Sequence, residues 1–188
     1  MSLEDSMRST GFTVNIPSDE HIIIDEENID DEYTATVISQ QVLEYLAAKL
    51  KGMEGRVTTA YNRDIIQSYK KAVEYGTDIF LSMRVKLMPQ HQDSIALIQF
   101  FQEPTQQSHV IAGGLAYRMN KTDFFIKVDY KEEDAVMPVK DAKPSAILAL
   151  CIGNRLLCKY NTDPDTVLSK IVDTFLFTIV DIYGSESE

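Results

Sequence analysis

The sequence predicts an α+β fold in which two N-terminal helices precede a six-stranded, mainly antiparallel meander and a long apolar C-terminal helix. Three features point there. Between residues 34 and 75 apolar side chains recur at helical spacing, from Ile79 the period drops to two, and residues 164–184 are apolar almost all round.

Residues 1–31 lack helical period, contain Gly11 and Pro17, and read as an acidic N-terminal arm. Two β-like runs within it, 12–16 and 21–24, are each able to add an edge strand. The body follows over residues 32–184, and 185–188 read as a disordered tail. Val37, Ile38, Val42, Tyr45, Leu46 and Leu50 place a first helix over 34–50, with Asp30, Asp31 and Glu32 at the positive end of its dipole and Gly52 or Gly55 as its stop. Tyr61, Ile65, Tyr69, Ala72 and Val73 form one stripe of a second helix over 59–75, ended by Gly76.

Alternation of Ile79, Leu81, Met83, Val85 and Leu87 with polar neighbours gives a strand over 79–87. Residues 94–102 are apolar on both faces, as in a central strand. A third strand is expected over 109–118, with Gly113-Gly114 as a bulge, and a fourth over 124–130. The charged stretch 131–144 reads as a loop. Residues 146–152 and 155–160 read as a hairpin about Gly153-Asn154. The last helix starts at a cap, Asp163, with Pro164 in the first helical position.

Charge is unevenly distributed. The net charge is −11, yet residues 1–48 hold eleven acidic side chains against one basic, Arg8, so the rest of the chain is close to neutral. An acidic block repels phosphate and no dense basic cluster offsets it, which disfavours nucleic acid as a partner. No apolar run is long enough for a membrane span, and residues 1–18 lack the apolar stretch of a signal peptide, so a cytoplasmic location is expected.

Catalytic signals are sparse. His21, His91 and His109 have no metal-type spacing, residues 25–32 fail the calcium-loop pattern because Asp30 stands where Gly is required, and Gly113-Gly114 lacks the lysine of a phosphate loop. Cys151 and Cys158 sit diagonally in the expected hairpin, a poor geometry for a disulfide, and read as buried thiols. No metal, no cofactor and no enzyme activity is expected.

The element order resembles the helix-grip fold of START and Bet v 1-type proteins over roughly residues 12–183, without that group's glycine-rich loop between strands. The leading expectation is a non-catalytic protein-interaction module, an adaptor or a subunit of a larger assembly. It would engage a protein with a basic surface, or a second copy, through Ile22, Ile23, Ile24, Asp25, Glu26, Glu27, Asp30 and Asp31. The alternative is a carrier of an apolar small molecule, with Phe80, Phe100, Tyr117, Phe125, Phe175 and Ile179 lining a helix-grip cavity.

Overall fold

The computed structural model describes residues 10–16, 29–53, 55–61, 65–87, 94–101, 106–121, 127–137 and 145–184. The strands are β1 (Gly11–Ile16), β2 (Arg56–Tyr61), β3 (Ile79–Leu87), β4 (Ser94–Phe101), β5 (Lys127–Met137) and β6 (Ser145–Ile152). The helices are α1 (Ile29–Gly52), α2 (Ile65–Glu74), α3 (Gln106–Asn120), α4 (Asn154–Thr162) and α5 (Pro164–Gly184).

All six strands join one sheet in the order β2-β1-β3-β6-β4-β5. The run from β2 through β1 and β3 to β6 is parallel, β4 lies antiparallel to β6, and β5 is parallel to β4. The expected α+β meander is therefore replaced by an α/β fold in which strands and helices alternate. A parallel pair needs a crossover rather than a hairpin, and the helices supply it.

β1 decides the architecture. Its residues fall within the expected arm, but they occupy an interior position between β2 and β3 rather than an edge. Phe12, Val14 and Ile16 point to one face with Ile79, Leu81 and Met83, their register neighbours on β3 or its continuation, and all six are buried. Against that face pack Ile38, Val42, Leu43 and Leu46 of α1, and the same core continues through Ile111, Leu115 and Met119 of α3 and Leu168, Ile171 and Phe175 of α5. The opposite face carries Thr13, Asn15, Phe80 and Ser82. There α2 covers β1 and β3, with Tyr69 edge-on to Phe80 at 5.5 Å between ring centres.

Four local expectations change for identifiable reasons. Residues 56–61 form β2 because the β-branched run Val57, Thr58, Thr59 completes a parallel ladder with β1, so the second helix begins only at Ile65. Residues 106–120 form α3, not a strand. Ile111, Leu115 and Met119 recur every four residues on its buried side, and a Cβ at Gly114 would meet the Thr178 methyl at 3.0 Å, so the glycine admits α5 closely. Residues 131–137, expected as loop, continue β5. Gly153 precedes α4 instead of turning a hairpin. That helix exposes Cys158, a free thiol, in place of the expected burial.

Other expectations agree with the structure. β3 spans the predicted residues, and the last helix starts at Asp163, whose carboxylate accepts from Thr166 N at 3.3 Å. Gly76, at φ 82°, ends α2 with paired amide bonds, Gly76 N to Val73 O and Thr77 N to Ala72 O. The apolar circumference of α5 has a different origin from a gripping sheet: the helix lies against α1, α3 and α4 at once. Thr174 and Thr178 are buried there, and their hydroxyls donate to the carbonyls of Lys170 and Thr174, each at 2.8 Å. Among the described residues no helix is long and apolar enough to cross a membrane.

Candidate functional site at the carboxyl edge of the parallel strands

In an open α/β sheet, ligands bind outside the carboxyl ends of the strands where successive connections leave in opposite directions. Here that place is between β1 and β3. β1 connects through α1 to β2 on one side, and β2 then connects through α2, on the other face, to β3 on β1's far side.

The ladder between β1 and β3 reaches Asn15 opposite Ser82 and goes no further in the paired register. Val85, three residues beyond, donates its backbone N–H to Ser39 Oγ of α1 at 3.0 Å, while that hydroxyl donates to Ala35 O at 3.0 Å. At the other end of the helix, Leu50 O approaches Gly55, which sits against the Phe12 ring at the start of β1. α1 thus runs antiparallel to β1. Ten residues of α1 precede Ser39, so about 15 Å of helix stands beyond the carboxyl end of β1 at 1.5 Å per residue. Its first turn contains Asp30, Asp31 and Glu32.

Between the strands, the buried Asn15 amide donates to Ser82 Oγ at 3.4 Å. Nearby polar order is supplied by Tyr160 of α4, whose hydroxyl donates to Gln41 Oε1 of α1 at 2.7 Å. Burial, and then the neighbouring Tyr45, raise the Tyr160 phenol above its ordinary value. The strand ends themselves carry neither carboxylate nor imidazole: β3 closes on Arg84-Val85-Lys86-Leu87 and β6 on Ala149-Leu150-Cys151-Ile152. Such groups occur in the sequence that follows them, Asp19, Glu20 and His21 after β1 and His91 and Asp93 after β3, outside the described residues. Among the described residues no set of three or more His, Cys, Asp or Glu side chains is placed to hold a metal ion.

The residues singled out from sequence are not brought together. Ile22, Ile23, Ile24, Asp25, Glu26 and Glu27 lie outside the described residues, whereas Asp30 and Asp31 sit in the first turn of α1. Phe80 and Phe175 are buried on opposite faces of the sheet, Ile179 is core, and Tyr117 is 61% exposed on α3. Phe100 lies in β4, and Phe125 falls outside the described residues. These six therefore do not line a common cavity. A groove of about 610 Å³ does exist between α1 and α5, bounded by Tyr45, Met53 and Val172, but it lies on the outer helical surface away from the strand ends. Sequence reasoning passed over Ser39, a small polar residue inside an apolar helical stripe, which was the one available sign of a helix-to-strand contact.

No protein-family model matches the chain, and neither does any curated protein sequence. Solved structures do match in fold. The N-acetylmuramyl-L-alanine amidase Ami1 from Mycobacterium smegmatis superposes with a TM-score of 0.68 at 10% identity, over 95% of this chain and 99% of that one. The amidase AmiC2 of Nostoc punctiforme gives 0.62 at 7% identity, over 92% and 96%. The CwlD amidase from Clostridioides difficile, solved in complex with the GerS lipoprotein, gives 0.62 at 13% identity, over 95% and 100%.

At such identities the likeness establishes fold, and it removes the architecture on which the earlier functional expectations stood. An assembly subunit with an antiparallel sheet, a non-catalytic interaction module and a carrier with a helix-grip cavity all give way to a fold shared over more than nine-tenths of the chain with solved amidases. The expectation of no enzyme activity is corrected with them.

Proposed function

We propose that this chain is an amide hydrolase acting on N-acetylmuramoyl peptides, with its reaction centre at the carboxyl edge of β1 and β3. The observation that carries the reading is the coincidence of fold over more than nine-tenths of both chains with several N-acetylmuramoyl-L-alanine amidases. The switch in connection direction between β1 and β3 supports the carboxyl edge as the location.

Hydrolysing an amide requires a group that activates water and a group that protonates the departing amine. Because the strand ends supply neither, these tasks fall to other residues. The candidates are His21, which follows β1 in the sequence and lies outside the described residues, and Glu32 in the first turn of α1.

The experiment is incubation of the purified chain with a muramoyl peptide, following the newly freed alanine amino group by mass spectrometry. Release is expected, and His21→Ala or Glu32→Gln should lower its rate by about a hundredfold or more. No release, or binding of the glycopeptide without release, would overturn the hydrolytic reading. A protein partner belongs to the same proposal, supported by the bound lipoprotein of the CwlD structure. Light scattering on the purified chain separates self-association from a monomer that requires a different protein.

A further inference from the structure

At the amino edge of the sheet, opposite the carboxyl edge, a cavity of about 340 Å³ opens between α2 and the starts of β1 and β2. Its size lies at the lower end of the range for small-molecule sites, roughly 300 Å³ and upward. We propose that this pocket binds a sugar carrying one negative charge.

Its lining is unusually rich in hydroxyls. Thr13 and Thr77 are joined at 3.0 Å, and Thr77 is held further by the carbonyls of Ile79 at 3.1 Å and Gly11 at 3.3 Å, making a rigid polar floor. Thr58, Thr59 and Ser68 complete the wall. The Thr13 and Thr77 protons are engaged within that floor, whereas the hydroxyls of Thr58, Thr59 and Ser68 can donate as well as accept, which matches the adjacent hydroxyls of a pyranose better than an apolar ligand. Tyr75, 85% exposed at the rim, offers an aromatic face of the kind that covers the C–H side of a sugar ring.

Charge fixes the remaining preference. Arg56 lies 3.6 Å from Asp78, which also accepts from Gly11 N at 2.7 Å, so those opposite charges offset each other. The ammonium of Lys71 has no carboxylate partner among the described residues. At the carbonyl end of α2 the amides of Tyr75, Gly76 and Thr77 take up the carbonyls of Lys71, Val73 and Ala72, so the anion preference rests on Lys71 against the negative end of the helix dipole. The Lys71 ammonium beside these hydroxyls therefore suits a sugar acid or a sugar phosphate.

The site is separate from the carboxyl edge and its readout is binding, so it stands or falls independently of the hydrolase proposal. Calorimetric titration of the full chain with glucuronate, glucose 6-phosphate, glucose and inorganic phosphate tests it. Glucuronate or glucose 6-phosphate should bind at millimolar concentration or below, glucose more weakly, and phosphate alone least. Lys71→Gln should cost the anionic sugars about tenfold while leaving glucose unchanged, and Tyr75→Ala should weaken every sugar several-fold. Both residues are exposed, so the variants keep the fold. Anionic sugars binding no better than glucose, phosphate matching glucose 6-phosphate, or affinities indifferent to Lys71→Gln would each overturn the proposal.

Discussion

Ser39 accepts the backbone N–H of Val85 at 3.0 Å, so a helix side chain takes the place of a neighbouring strand where β1 has ended. Replacing Ser39 by Ala leaves that N–H without its acceptor. A stability loss of about 1–3 kcal/mol is expected, read as a lower midpoint in urea unfolding with an unchanged slope.

The neighbouring glycines of α3 should respond in opposite directions. A Cβ at Gly113 meets nothing within 4 Å, whereas one at Gly114 meets the Thr178 methyl at 3.0 Å. Gly113→Ala should therefore stabilise by about 0.5–1 kcal/mol through helix propensity. Gly114→Val should destabilise by about 1–3 kcal/mol by forcing α3 from α5. Thermal unfolding of the two variants in one buffer gives the comparison.

Tyr160 links stability to alkaline pH. Its folded-state phenol is raised by burial and then by Tyr45, so its contribution is complete below the unfolded value and declines as pH rises through the folded one. The ionised oxygen also loses its donated bond to Gln41. Melting temperature should fall as pH rises past the ordinary tyrosine value of about 10, and Tyr160→Phe should flatten part of that slope.

Asp163 holds the start of α5 through bonds to Thr166 N at 3.3 Å and Thr166 Oγ1 at 2.5 Å. Asp163→Ala should cost about 1 kcal/mol. The loss should appear in thermal unfolding and be smaller for Asp163→Asn.

Local signals in the sequence were good where one residue decides the geometry. Asp163 with Pro164 set the start of α5, Gly76 set the end of α2, and the alternation from Ile79 to Leu87 set β3. They failed where partners distant in sequence decide. Thr58 and Thr59 suit a helix or a strand until β1 offers a ladder, and the spacing of Ile111, Leu115 and Met119 was obscured by two glycines that read as a bulge. Strand direction left no local mark, so a parallel sheet was read as a meander. The carboxyl edge follows from that topology and is therefore not legible: the sequence places Asp30, Asp31 and Glu32 at the positive end of a helix but leaves no mark of where that end stands relative to the sheet.

The interior place of β1 also governs how the chain can assemble. Among the described residues β2 has β1 as its sole neighbour in the sheet, and Gly11 meets Asp78 across 67 residues of sequence. The early strand must therefore wait for two later ones before its ladders close, which delays the rate-limiting collapse and keeps apolar Phe12, Val14 and Ile16 exposed to chaperones and proteases meanwhile. A lesion in this six-residue strand should show itself as poor yield of soluble protein before it shows itself as altered chemistry.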